Sequence, residues 1–198
     1  MKKILSAVLV AMVALVSVTT AQAIEDKTFI TLGYGSASLS NAGSFTNPSA
    51  FIIGVGGKKF ATKGDSTIMF GYEADYVSLA DSKFTSTAGS ETLTQNSLQA
   101  SVLAGMSVGA GFSVNGKLGL SGNYAGLDGT GAYTNNKGNA YTVGLVYGIS
   151  AEYAISKSFS ASVNWESLGN FKTASTLSGA GMTNIDITLM SARINYLF

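Results

Sequence analysis

The sequence predicts an all-β fold, an eight-stranded antiparallel up-and-down β-barrel that crosses a membrane. Three observations carry that reading. In the last fourteen residues, 185–198, Met190, Ala192, Ile194, Tyr196 and Phe198 fall on one face, while Ser191, Arg193 and Asn195 fall on the other. Successive strand side chains point to opposite faces, so this is a ribbon apolar on one side and polar on the other, and it runs to the final residue. Eight such segments follow one another, joined by connections that are alternately long and short. The third observation is the nature of the polar face. In the sixth segment Thr142, Gly144, Val146, Gly148, Ser150 and Glu152 stand against Tyr141, Val143, Leu145, Tyr147, Ile149 and Tyr153. A soluble barrel would turn more Lys, Glu and Thr toward water. Small polar residues suit an enclosed interior and bulky apolar ones suit lipid.

Taken in order, the chain opens with Lys2 and Lys3, an apolar run from Ile4 to Val18, and the small residues Ala21 and Ala23 around Gln22. This is the pattern of a secretory signal peptide, residues 1–23, cleaved after Ala23. An uncleaved apolar anchor is the other reading of the run. It is shorter than the ~20 residues a spanning helix needs, and Thr19, Thr20 and Gln22 interrupt it. Residues 24–198 are expected to form the single barrel domain. Its strands are predicted at Lys27 to Ala37, Ala50 to Phe60, Thr67 to Leu79, Asn96 to Ser107, Phe112 to Tyr124, Ala140 to Ile155, Phe159 to Leu168 and Ile185 to Phe198. The short connections are Ala61 to Ser66, Val108 to Gly111 and Ser156 to Ser158. The long ones, Ser38 to Ser49, Ala80 to Gln95, Ala125 to Asn139 and Gly169 to Asn184, are rich in Ser, Thr, Gly and Asn. Long and short ends of such a barrel face opposite sides of the membrane, with the long loops external.

Composition removes several function classes. Without Lys2 and Lys3, ten basic residues face 11 acidic ones, a formal charge of −1 with no basic block, so nucleic acid is not an expected partner. The absence of cysteine excludes disulfides and thiolate metal sites. The absence of histidine removes the usual base of a serine hydrolase. Glu73 and Asp75 share one strand face, a pairing that could suggest glycosidase chemistry. The interior of an eight-stranded barrel is just wide enough for side chains to fill it, which leaves no room for a sugar. No enzymatic activity, cofactor or resident metal is expected.

Two residue sets are candidates for function. Phe112 and Tyr124, Tyr141 and Tyr153, and Phe159 and Phe171 are each twelve residues apart, an even spacing that keeps a pair on one face. At ~3.3 Å per residue and a tilt near 40° this spans roughly 30 Å, matching the two aromatic girdles of a membrane barrel. By alternation Lys58, Glu73, Asp75, Lys117, Glu152, Glu166 and Arg193 point into the lumen. Such charges must pair or share trapped water. Glu166 and Arg193, on adjacent strands at similar depth, are the first candidate pair, and Lys117 with Glu152 the next. The residues leave two roles open, a static internal salt-bridge network and a gate that rearranges to pass ions or water.

The signal peptide, the eight alternating strands, the four long polar loops and the terminal Phe198 resemble the small OmpA/OmpX-like barrels of Gram-negative bacteria, which include opacity-type adhesins. The segment Phe70-Gly71-Tyr72-Glu73-Ala74-Asp75-Tyr76 is similar to the third strand of that group, and Ala192-Arg193-Ile194-Asn195-Tyr196-Leu197-Phe198 to its closing strand. The resemblance implies Sec-type export to the bacterial outer membrane. It also implies contact with outer-membrane lipid and lipopolysaccharide, a monomeric state, and recognition of Tyr196 and Phe198 by the barrel assembly machinery. Because the sequence ends at Phe198, anchoring through a peptidoglycan-binding domain is not expected. A structural or adhesion-like surface role through the four loops follows from the resemblance, with a narrow channel or small-solute porin as the alternative. The loops carry few charges and few aromatics, Phe45 and Tyr133 among them, and lack a basic patch for a heparin-type ligand. Deleting Phe198 is expected to lower outer-membrane insertion in cells while detergent refolding persists, and normal surface levels of the truncated chain, read by surface labelling, would refute that.

Overall fold

The computed structural model describes residues 25–41, 45–63, 66–135, 137–172 and 184–198, so the expected signal peptide, with Ala21 and Ala23, lies outside the described residues. The strands are β1 (Glu25–Ser40), β2 (Ser49–Lys63), β3 (Ser66–Ser86), β4 (Gly89–Gly109), β5 (Phe112–Gly131), β6 (Gly138–Ala154), β7 (Phe159–Lys172) and β8 (Asn184–Leu197). Each pairs antiparallel with its neighbours in sequence, and β8 closes on β1 with Phe29 opposite Leu197 and Ser36 opposite Met190. The eight-stranded up-and-down barrel read from the alternation is therefore the fold. Closure leaves no sheet edge, so within the barrel wall the backbone amides are bonded inside the chain.

The barrel is apolar on the outside. Leu145, Ile149, Val163 and Ile194 are more than half exposed, whereas Arg193 and Asn195 on the same strand as Ile194 are buried. In water that arrangement would forgo the main driving force of folding; in hydrocarbon it places each side chain in its preferred medium. The interior is layered, which the alternation did not foretell. At the loop end Ile52, Val77, Leu79, Leu93, Leu168, Phe171, Ile185, Ile187 and Leu189 form one buried apolar cluster. At the short-turn end Phe29, Met69, Leu103 and Leu197 form a second, with Phe60 packed on it. Glu73, Asp75, Lys117, Glu166 and Arg193 lie between the two, and Lys58 stands beside Phe29 of the second.

Two expected loops are largely strand. In place of a loop from Ala80 to Gln95, β3 and β4 continue as a hairpin through the two-residue turn Thr87-Ala88, with Ser86 opposite Gly89. Similarly β5 runs to Gly131, where a loop from Ala125 was expected. A shift in register between Leu79 and Ser82 explains the first error. The inward set changes from odd to even numbers, from Val77 and Leu79 to Ser82, so the period-two pattern breaks although the strand does not.

A second shift moves Phe171. The pairing of β7 with β8 slips between Ser167 and Asn170, at Gly169, whose φ of +76° favours glycine. Ser121 and Asn123 donate to the Leu168 carbonyl there, at 3.0 and 3.1 Å. Past the bulge the phase is inverted, so Phe171 enters the apolar cluster instead of the outer girdle. The remaining expected girdle residues do face outward. Phe112 packs on Tyr153 with ring centroids 4.6 Å apart, Tyr124 on Tyr141 at 5.1 Å, and Phe159 on Tyr196 at 5.0 Å. Leu145→Arg on the lipid side should destabilise the barrel by roughly 2 to 4 kcal/mol, whereas Ser150→Thr on the lumen side should be mild, a contrast that urea unfolding in lipid measures.

Candidate functional site

All seven ionisable residues assigned to the lumen by alternation point inward, where they form two nodes. In the first, Arg193 and Lys117 share three carboxylates. Arg193 Nη1 donates to Asp75 Oδ2 at 2.9 Å and lies 3.7 Å from Glu73, while its Nη2 donates to Glu166. Lys117 Nζ donates to Asp75 Oδ2 at 3.0 Å and to Glu166 Oε2 at 2.6 Å, and also pairs with Glu73. The second node sits nearer the short turns. Lys58 Nζ donates to both Glu152 oxygens, at 2.7 and 2.6 Å, and stands 4.9 Å from the centre of the Phe29 ring. Asn115, Ser160 and Asn195 also donate to Glu152.

Most of these pairs reach across the barrel. Arg193 on β8 meets Asp75 on β3, and Lys58 on β2 meets Glu152 on β6. Sequence neighbours along the wall suggested Arg193 with Glu166, which is one of the contacts present, and Lys117 with Glu152, which is not. Glu152 is taken by Lys58 and Lys117 by the first node, because the opposite wall of so narrow a lumen is as near as the adjacent strand. Inward glycines make the room. A Cβ at Gly54 would collide with the Asp75 carboxylate, and one at Gly33 would lie 2.8 Å from Arg193 Cγ. Between the two nodes lies a cavity of ≈ 30 Å³ lined in part by Glu73, Lys117, Ser150, Glu152 and Arg193, and a wider pocket of ≈ 350 Å³ opens from the short-turn end onto Lys58 and Glu152. The smaller volume holds a water or two, since about 10–15 Å³ suffices for one.

A second constellation lies at the loop end, and the sequence pointed only to parts of it. Phe45, from the first loop, packs on Phe84 of β3 with centroids 6.1 Å apart, and Phe84 meets Tyr133 of the third loop edge-on at 5.9 Å. Tyr133 and Ser86 hydroxyls are 3.3 Å apart. The first loop is pinned to the raised hairpin, Thr46 N–H donating to the Lys83 carbonyl at 3.2 Å and Lys83 N–H to Thr46 Oγ1 at 3.1 Å. Phe45 and Tyr133 are thus half-buried partners of Phe84, and the rim is a braced structure. At the opposite end Tyr196 and Phe198 lie on the outer face with ring centroids 4.9 Å apart, and Phe198 N–H donates to the Thr28 carbonyl at 2.9 Å.

A closed barrel that is apolar outside, girdled by aromatics and filled by side chains defines an integral β-barrel membrane protein. The chain belongs to the outer membrane protein β-barrel domain family, whose model matches residues 8–198. No curated protein matches it. Among solved structures it is similar to Ail, the attachment invasion locus protein of Yersinia pestis, at 13% identity over 88% of this chain and 99% of that one, with a TM-score of 0.53. It is similar also to Neisserial surface protein A, at 14% identity over 89% and 100% of the two chains and a TM-score of 0.52. A major outer membrane protein from Thermus thermophilus follows at 12% identity, 86% and 99% coverage and a TM-score of 0.51. At such identities the likeness is one of fold.

The first node yields a stability test. Arg193→Ala leaves Glu73, Asp75 and Glu166 with Lys117 as the one cation of that node among the described residues, and should cost about 3 to 5 kcal/mol. Removing Arg193 and Glu166 together should cost less than the sum of the single changes, because each single change strands its partner. A double-mutant cycle read by urea unfolding measures that coupling, and additivity within ~0.5 kcal/mol would refute it.

Proposed function

We propose that this outer-membrane barrel has a structural and surface-interaction role exercised through its braced rim, and that it neither conducts nor catalyses. The observation that carries this is the sealed lumen. A pocket of ≈ 350 Å³ opens at the short-turn end as far as Lys58 and Glu152, but a conducting path would have to continue through the node of Arg193, Lys117 and their three carboxylates and then the apolar layer containing Phe171, Leu93, Ile187 and Leu189. An ion entering such a path would lose hydration to hydrocarbon side chains, a cost of many kcal/mol for an unpaired charge. The ≈ 30 Å³ cavity and a sequence without histidine argue in the same direction against catalysis.

The rim supports the surface role. Its aromatic cluster and its hydrogen bonds hold three connections in one arrangement, which reduces the entropy lost on binding. Two proteins of similar fold carry names that refer to attachment and to the cell surface. Charges at this end have mixed sign, and Lys137 pairs with Asp128 at 3.3 Å, so an uncharged partner fits better than a polyanion.

Refolded protein in planar bilayers should show no reproducible conductance steps. Stable steps would overturn the sealed-lumen reading in favour of the narrow channel, with the Lys117 and Arg193 node as its gate. In a whole-cell binding screen, shortening the hairpin between Ser82 and Leu93 should abolish any interaction gained on expressing the intact protein.

A further inference from the structure

The pocket of ≈ 350 Å³ at the short-turn end reaches inward to the Lys58 and Glu152 ion pair. It lies inside the closed ring of strands, so lipid is kept out and the way in is from the aqueous side at the turns. Its lining has two sides. Strands β8, β1, β2 and β3 follow one another around the ring, and Leu197, Phe60 and Met69 give that arc an apolar surface. Lys27 of β1 is held over the Phe60 ring, 5.9 Å from its centroid. The facing arc, from β4 to β7 with their turns, presents small hydroxyls, among them Ser113, Ser156 and Ser160.

The floor needs no solvent. Glu152 accepts hydrogen bonds from Lys58, Asn115, Ser160 and Asn195, and Lys58 stands over the Phe29 ring. A pair satisfied in this way by the protein can be covered by an apolar body without stranding a charge.

Three donors on the hydroxyl side are not engaged in that floor. Lys157, exposed on the turn between β6 and β7, makes no ion pair among the described residues. Ser156 Oγ accepts from the Ser158 and Phe159 N–H groups at 3.2 and 3.1 Å, which leaves its own proton to donate elsewhere. Ser113, half-buried opposite Glu152 in the β5 and β6 register, makes no side-chain hydrogen bond among the described residues. The turn that carries two of the three is rigid. Ile155 and Ser156 N–H groups donate to the Phe159 carbonyl at 2.9 and 3.0 Å, and Leu197 N–H donates to the Ser158 carbonyl at 2.8 Å. Donors on so fixed a backbone lose little freedom when a ligand arrives.

An ammonium and two hydroxyls, all able to donate, match an oxygen anion. Lys58 is neutralised by Glu152 and Lys27 is engaged over Phe60, so Lys157 balances a single negative charge, that of a carboxylate. The opposite arc asks for an apolar remainder. A cavity of roughly 150 Å³ takes benzene, and one of ≈ 350 Å³ has room for a body of about ten to fifteen non-hydrogen atoms.

We infer that the short-turn end of the lumen is a binding pocket for a small soluble carboxylate with an apolar body. Lys157, Ser156 and Ser113 hold the anion, and the body lies on Phe60, Met69 and Leu197. The pocket is at the opposite end from the rim and is independent of the role proposed there.

The test uses isotope-labelled protein refolded in phospholipid nanodiscs at neutral pH and titrated with N-acetylphenylalanine, a probe of that class. Amide signals of Ser113, Lys157 and Leu197 should shift saturably, with a dissociation constant of about 1 mM, while that of Thr92 at the rim stays fixed. N-acetylphenylalaninamide, which lacks the charge, and N-acetylglycine, which lacks the ring, should each bind about tenfold more weakly. Lys157→Gln should weaken the parent probe about tenfold and Lys157→Arg should not, and both variants keep the fold because Lys157 is exposed on a turn. Met69→Gln should weaken it as well. Equal binding of the amide and the acid, or an unchanged affinity in Lys157→Gln, would overturn the anion site. Equal binding of N-acetylglycine, or no effect of Met69→Gln, would overturn the apolar arc. Shifts confined to outward residues such as Val114 and Tyr153 would mark adsorption at the bilayer and refute the pocket, as would the lack of saturable shifts at about ten times the expected constant.

Discussion

A strand crossing hydrocarbon has no water to bond its amides, so each N–H and C=O in the wall must find its partner on an adjacent strand. Every other property of this chain follows from that demand. Pairing β8 with β1 removes the edges, and once the ring is closed a residue faces either lipid or lumen. The bulky apolar residues take the outside, leaving the inside to whatever can pack in a tube barely wider than its own side chains.

What packs there is a stack of apolar, charged and apolar layers. The seven charges of the two nodes have no net advantage over well-chosen hydrocarbon as a source of stability, because desolvation offsets most of their attraction. Their value lies in exclusiveness. Arg193 and Lys117 each touch the same three carboxylates, contributed by β3 and β7, so a slip of β8 or β5 by one residue would turn one cation into lipid and leave three acids sharing the other. The registry of the wall and the chemistry of the lumen therefore specify each other, with the inward glycines at 33 and 54 supplying space where the side chains meet.

Alternation made the fold and the inward set legible, since Lys58, Glu73 and Arg193 announce their face by their distance from neighbouring aromatics and aliphatics. It failed where a bulge shifts the phase. Past Leu79 and past Gly169 the pattern reverses without the strand ending, which turned hairpin into apparent loop and sent Phe171 to the wrong side of the wall. Threonine compounded the first error, because a Ser/Thr-rich stretch resembles a loop in composition although threonine is a good strand residue. Partners across the lumen were illegible for a different reason. Local spacing relates a residue to its own strand and the next, and nothing in it tells that Lys58 will reach Glu152 from the opposite wall.

The seam between β1 and β8 has a kinetic consequence. Seven of the eight pairings join strands adjacent in sequence and can form as hairpins, but the eighth brings Phe29 to Leu197 and cannot form until the rest of the sheet has curled. Such long-range contacts form late because chain closure must precede the bonds that reward it. Until then the nascent sheet has two bare edges able to pair with any other strand. The ion pair from Arg193 on β8 to Asp75 on β3 spans that gap, so it forms only as the seam closes and must be broken before the seam can open. The buried charges thus serve as a latch on the final step of assembly.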